Sequence, residues 1–177
     1  MKGVVFTEFL DMVEDKFSIE MVDDIIDGCD LESGGAFTAV GTYDYSEFLK
    51  LLRALARLTE LPAPDLARQF GEHLFGRFAA GYPQFFEGDL DAFSFLKQVE
   101  EHIHVEVLKL YPDAELPSFE WSQPTDSQLD FVYRSARPFA DLAEGLILGC
   151  LSHFKESAQI ERYDDDTGAQ FRLTRES

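Results

Sequence analysis

Apolar side chains recur at helical spacing along the first 110 residues of the chain. Residues 3–17 show this pattern clearly, with Asp and Glu between the apolar positions. Ser18 can cap a second segment, and Asp44 with Glu47 has the spacing of a capping box at the start of a third. The pattern predicts five helices, over residues 3–17, 19–27, 47–60, 64–80 and 89–110.

Beyond residue 110 the apolar positions alternate, as they do in half-buried strands. The turn signals between these segments are short enough to join antiparallel neighbours. The pattern predicts a helix over residues 138–156 and four strands, over residues 118–123, 128–137, 159–163 and 169–173. The expected fold class is therefore α+β, with an N-terminal helical lobe followed by a C-terminal lobe of long helices and a four-stranded antiparallel sheet.

Three polar side chains fall on one face of the predicted strand 128–137. Tyr133, Ser135 and Arg137 are two residues apart, and alternate residues of a strand point to the same side. A guanidinium can grip a carboxylate through two parallel hydrogen bonds, and the hydroxyls add further donors. The spacing alone leaves two interpretations open, a solvated strand face or a clamp for an anion.

The chain is long enough for one domain with a sizeable core, and it is rich in phenylalanine. Its 177 residues include seventeen Phe, and 45% of them are hydrophobic. Such a number of aromatic side chains either fills a core or also lines a pocket for a flat, apolar ligand.

Charge and hydropathy exclude several classes of partner. A formal net charge of −19 repels phosphate backbones and anionic lipid, so we expect neither a nucleic acid nor a membrane as a partner. The charge fits a partner with a basic face, or it serves solubility alone. The chain contains neither an apolar run of membrane-spanning length nor a signal-peptide pattern, so a cytoplasmic protein is expected.

The sequence offers no evident catalytic constellation, so we do not expect an enzyme. Cys29 and Cys150 provide neither a disulfide framework nor metal-ligand spacing, and a redox role for either thiol stays open. His102 and His104 share the predicted helix 89–110 but project on different sides of it. His104 is in line with more apolar neighbours, yet a lone helical histidine is more often structural than metal-binding.

The motif formed by Tyr133, Ser135 and Arg137 resembles the haem-propionate clamp of the haem nitric oxide/oxygen binding (H-NOX) family. Two more segments are similar to that family, the Ile-His pair at 103–104 with its following Pro-containing stretch and the amino terminus MKGVVFTEFLDMVEDKF. The resemblance runs over essentially the whole chain in the right order. It implies one domain over residues 1–177, with a distal helical lobe at about 1–60 and a haem-holding remainder at about 61–177.

The resemblance also implies a cofactor, haem b (iron protoporphyrin IX), lying between the two lobes. His104 fills the position of the proximal iron ligand, and Tyr133, Ser135 and Arg137 would hold the propionates. Two apolar residues would pack against the haem and keep it out of plane; these are Pro117 and Val5.

The side chains on the distal side of the implied pocket are expected to determine which gases bind. Leu142 stands where family members that hold oxygen stably have a tyrosine that donates a hydrogen bond to the gas. The implied distal pocket is Phe9, Leu74, Phe78, Leu142 and Leu146, to which Val5 adds a sixth apolar residue. Because none of these side chains is a hydrogen-bond donor, we expect binding of NO and CO at ferrous haem and exclusion of O2.

The implied function is a gas sensor that signals to a separate protein through release of His104 and relaxation of the haem and the lobes. The family's usual bacterial partners are a histidine kinase or a cyclic-di-GMP enzyme, and the sequence does not select between them. A haem-free pocket protein for another apolar ligand is the main alternative. A haem enzyme is a third, although an apolar distal wall does not supply its usual acid and base.

Overall fold

The computed structural model describes residues 1–176, which form helices in the first half and a mixed helix and sheet unit in the second. The α-helices are α1 Gly3–Lys16, α2 Ile19–Asp27, α3 Tyr45–Thr59, α4 Ala63–Gly81, α5 Ala92–Lys97, α6 His104–Leu110 and α7 Ala140–His153. The strands are β1 Ser118–Thr125, β2 Gln128–Arg134, β3 Ala158–Asp165 and β4 Gly168–Arg175. The predicted α+β class is confirmed. Over the described range, every helix is too short or too polar to cross a bilayer.

The helix N-termini predicted for the first half of the chain are capped as expected, with one difference. Ser18 caps α2 by accepting a hydrogen bond from the Met21 N–H at 3.2 Å. Asp44 caps α3, but Glu47 does not reach back to complete the capping box. The buried Glu47 carboxylate accepts from the N–H and the hydroxyl of Ser33, at 3.2 and 2.5 Å, and so fixes the glycine-rich connection before α3.

The predicted long helix over residues 89–110 is divided into two. After α5, residues Val99–Ile103 form a π-helical turn, and α6 begins at His104. The extra residue in this turn brings the Glu100 carboxylate to the start of β1, where it accepts a hydrogen bond from the Phe119 N–H at 2.9 Å. Periodicity over apolar positions does not detect such an insertion, because the helix axis continues beyond it.

The sheet is antiparallel with strand order β1-β2-β4-β3. Leu129, Phe131 and Tyr133 point from β2 towards the interior and are buried. The strand ends at Arg134, three residues earlier than predicted, so Ser135 and Arg137 lie in the connection to α7 and do not continue the strand face. The Ser135 N–H still donates to the Thr167 carbonyl, at 3.0 Å, which keeps this connection beside the sheet.

Two hydrophobic cores meet along the contact between α4 and α7. The first contains α1, α2, α3 and the first part of α4, and the second contains α5, the inner face of the sheet and most of α7. Gly71 of α4 lies directly against the backbone of α7 at Leu142 and Gly145, where any side chain would collide. These glycines let the two helices approach closely and hold the two cores next to each other.

Candidate functional site

A deep, apolar cavity of about 310 Å³ lies between the two cores. Side chains of α1, α4, α5, the π-helical turn, α6 and α7 form its wall, together with residues of β1 and β2 and the connection over residues 111–117. Sites for small molecules and cofactors in proteins occupy roughly 300–1,000 Å³, so the volume is adequate for a buried ligand.

Nearly all predicted site residues line this one cavity. They are His104, Tyr133, Ser135, Arg137, Pro117, Val5, Leu74, Phe78, Leu142 and Leu146. Phe9 is the exception, because it is fully buried in the first core, where its ring packs edge-on to Phe48 and Phe70 at centroid distances of 5.1 and 5.2 Å. Phe9 lies one turn further along α1 than Val5, and this displacement along the helix axis places it away from the cavity.

The His104 imidazole is held in one orientation by the π-helical turn before it. Its Nδ1 lies 3.3 Å from the Glu100 carboxylate, and its ring packs against Phe119. Burial lowers the pKa of His104, and the neighbouring Glu100 carboxylate opposes that shift. With Nδ1–H directed to Glu100, the neutral ring keeps the Nε2 lone pair for a ligand, the arrangement usual for a metal-binding histidine. His102 is exposed to solvent.

The three residues of the predicted clamp meet at another part of the cavity wall. Tyr133 is 3% exposed, and burial raises the pKa of its hydroxyl, so the phenol stays a neutral donor. The Ser135 hydroxyl accepts from the Arg137 N–H at 3.1 Å, which fixes the loop between them. The Arg137 guanidinium stands 5.7 Å from the centre of the Tyr45 ring and forms an ion pair with the Glu115 carboxylate.

This pairing shows which chemistry Arg137 selects. Its side chain is only 17% exposed, whereas the Glu115 side chain is 80% exposed. A mostly exposed carboxylate is weakly held, so another carboxylate can replace it at the guanidinium. An apolar cavity with a neutral imidazole and a cation flanked by two hydroxyls fits a flat, apolar macrocycle that carries a metal and carboxylates. The residues present therefore fit haem.

Sequence reasoning missed polar residues of the cavity wall. Tyr82 lines the cavity four residues after Phe78, with the two rings 6.3 Å apart, and Tyr111 lines it from the end of α6. Burial and the adjacent Tyr111 raise the pKa of the Tyr82 hydroxyl. Tyr82 directly follows α4, and its spacing of four residues from Phe78 is the signal that the sequence offers for it. Glu100 could have been found in the same way, since it precedes His104 by four residues.

The whole chain is similar to solved structures of H-NOX proteins. A K. algicida H-NOX protein in the unliganded Fe(II) state is 42% identical with a TM-score of 0.92, over 100% of this chain and 97% of that one. An H-NOX from Shewanella woodyi, bound to IWP-051 in the Fe(II)CO state, is 40% identical with a TM-score of 0.85, over 99% and 95% of the two chains. An S. oneidensis H-NOX protein in the Fe(II)NO state shares the fold, with 23% identity and a TM-score of 0.91 over 100% of both chains.

A comparison with curated proteins gives no match. The family model described as haem-NO-binding matches residues 2–162, which is most of the chain. The predicted family resemblance is thereby confirmed over residues 2–162. The chain belongs to the haem-NO-binding family, whose members are haem-based gas-sensor domains.

Proposed function

We propose that this chain senses NO and CO through haem b and excludes O2. The observation that carries the proposal is the single apolar cavity that joins His104, the clamp and an aliphatic wall containing Leu142. When bound, haem supplies a ferrous iron that takes a diatomic gas as a ligand. His104 would hold that iron, Tyr133, Ser135 and Arg137 would hold the propionates, and Pro117 with Val5 would pack on the macrocycle.

The proposed gas selectivity rests on the chemistry of the distal wall. Val5, Leu74, Phe78, Leu142 and Leu146 present only hydrocarbon groups to the cavity. A diatomic ligand that becomes polar on binding needs a hydrogen-bond donor in such a place, and NO and CO need none. The cavity also contains the Tyr82 hydroxyl, which lies beside Tyr111 and is not one of these five distal residues.

Absorption spectra with and without a donor at position 142 test the function. We expect the anaerobically reduced protein to show a haem band that NO and CO shift and that air does not convert to a persistent gas complex. Leu142→Tyr is expected to slow O2 dissociation by about tenfold or more, because a hydrogen bond to a charged or strongly polar group contributes about 1.5–3 kcal/mol.

Leu142→Phe is the matched control, because it adds the ring without the hydroxyl and should leave O2 dissociation unchanged. A persistent O2 complex in the unsubstituted protein would contradict the proposed selectivity. The absence of a haem band after reconstitution would remove the cofactor from the proposal, and a pocket for another apolar ligand would then be the better function.

We further propose that the signal leaves the cavity through His104. Its helix α6 has no fully buried residue, so little packing would hold α6 in place once the imidazole is released. The chain after α6 is tied to the N-terminal lobe, because the Lys2 ammonium and the Thr42 hydroxyl donate to Asp113 at 3.1 and 2.8 Å. Movement of α6 would therefore reach the first helices.

The proposed output is a change of surface for a separate cytoplasmic partner, a histidine kinase or a cyclic-di-GMP enzyme. The partner must bind the two shapes with different affinity, since gas binding would otherwise leave partner binding unchanged. We propose that the chain itself is a sensor and not an enzyme, with its distal lobe at about 1–60 and its haem-holding part at about 61–177.

The proposed role of Arg137 predicts a selective loss of haem affinity. Arg137→Ala should raise the dissociation constant for haem by about 10-fold to 100-fold, because a charge-assisted hydrogen bond contributes about 1.5–3 kcal/mol. Haem transfer to apomyoglobin would measure the effect. Arg134→Ala is the control, since Arg134 forms its ion pair with Asp165 outside the cavity. Equal haem loss in both variants would show that Arg137 acts only through stability.

A further inference from the structure

A second cavity, of about 250 Å³, lies on the N-terminal half of the molecule between the end of α2 and one face of α3. It shares no lining residue with the first cavity. Three basic side chains of α3 line this second cavity, which we call the basic cleft. Their spacing places them on one side of the helix. The lining residues are Gly28, Cys29, Asp30, Lys50, Arg53, Ala54 and Arg57.

The cleft contains arginines that lack a carboxylate partner in a chain where carboxylates are in excess. The sequence has 34 Asp and Glu against 15 Lys and Arg. Among the described residues, seven of the nine arginines form an ion pair within 4.0 Å, and the two that do not are Arg53 and Arg57. A cation that stays unpaired on so acidic a protein is available to an anion from outside.

The geometry of the cleft brings its charges together around one space. Arg57 lies over the chain at Gly28, where a Cβ would be only 3.5 Å from the guanidinium. The Lys50 ammonium donates to the Asp30 carbonyl at 2.6 Å, which fixes the lysine at the rim. With three cations and one carboxylate, Asp30, the lining side chains have a formal charge of +2 within a chain of −19.

We propose that the basic cleft is a binding site for a small oxyanion of the phosphate class, separate from the gas-sensing cavity. Two guanidinium groups and an ammonium match the charge and the several acceptor oxygens of a phosphate dianion. Free phosphate and a phosphate monoester offer the same group, and the protection that each gives to Cys29 distinguishes them. Binding there would add a second input to the N-terminal lobe.

Cys29 provides a reporter inside the cleft. Its thiol is partly exposed, whereas Cys150 is fully buried and will not react in the folded protein. Burial raises the pKa of the Cys29 thiol, and Arg57 and Lys50 oppose that shift, so the two cations are close enough to act on the sulfur. The Cys29 thiolate attacks one sulfur of a disulfide reagent, a new S–S bond forms, and the other half leaves as a coloured thiolate.

The first measurement compares the rates at which Cys29 reacts with a dianionic aromatic disulfide, 5,5′-dithiobis(2-nitrobenzoate), and with neutral dithiodipyridine. The double substitution Arg53→Gln/Arg57→Gln should lower the ratio of the rate with the anionic reagent to the rate with the neutral reagent by about tenfold. The reason is that it removes the attraction of two exposed guanidinium groups for the dianion. The ratio cancels any change in thiolate fraction. Lys16→Gln/Lys155→Gln removes two cations elsewhere and should leave the ratio unchanged.

The second measurement is protection of Cys29 at constant ionic strength. Millimolar inorganic phosphate should slow the reaction of the unsubstituted protein and not that of Arg53→Gln/Arg57→Gln, which identifies the free ion as a sufficient ligand. Protection by glycerol phosphate alone would identify an ester as the ligand. Equal rates with chloride, phosphate and glycerol phosphate, or equal rate ratios in the two double variants, would overturn the proposal. Unchanged circular dichroism would show that each variant is folded.

Discussion

His104→Gly is expected to abolish the response of the protein to NO while leaving its cavity intact. In the unsubstituted protein, NO should accelerate amide hydrogen exchange in α6 by about tenfold, a change of about 1.4 kcal/mol in the free energy of local opening. The reason is that α6 has no fully buried residue, so the proposed bond from His104 to the haem iron would be its main restraint. Glycine makes no such bond, and α6 should exchange fast with or without NO.

His102→Gly is the matched control for this experiment. It removes an exposed imidazole from the same turn, introduces the same flexible residue and leaves the Glu100 contact with His104 in place. We expect this variant to keep the NO-dependent change. An NO response in His104→Gly as large as that of the unsubstituted protein would contradict the proposed route. Added imidazole can enter the space left by the side chain but is not attached to α6, so it should not restore slow exchange in the gas-free state.

The contacts of Glu100 explain why the orientation of His104 is harder to predict from the sequence than its choice as the candidate iron ligand. The apolar positions of residues 89–110 fit one helix, and the Ile-His pair marks His104 within it. The π-helical turn Val99–Ile103 depends on a contact with Phe119, nineteen residues later. Helical periodicity contains no information about such a distant hydrogen bond. The contact between Glu100 and His104, by contrast, follows from their spacing of four residues.

The clamp and Phe9 also show that sequence spacing does not determine which side chains face the cavity. Tyr133, Ser135 and Arg137 were found together because their spacing is short, yet the strand ends at Arg134 and a loop orients the last two. The family resemblance places Phe9 in the distal pocket, whereas packing against other rings takes it into the core. Fold class follows from periodicity, but which buried side chains face a cavity is decided by three-dimensional packing.

The second large effect is expected at the contact that holds the two cores together. At Gly145 an added Cβ would overlap the Arg68 backbone carbonyl of α4, and backbone cannot move aside as a side chain can. Gly145→Ala should therefore separate α4 from α7 and lower the free energy of unfolding by about 2–3 kcal/mol. For a chain of this length the melting temperature should fall by about 5–10 °C. Thermal and urea unfolding would measure both quantities.

Gly76→Ala is the control on α4 itself, because an added Cβ there meets nothing within 4 Å. It should stabilise the protein by about 0.5–1 kcal/mol through the better helix propensity of alanine. Leu142 and Leu146 line the cavity on either side of Gly145, so separation of the helices should also weaken haem retention in Gly145→Ala. If both alanine variants gained stability equally, close approach of α4 and α7 at Gly145 would not be what holds the cavity in shape.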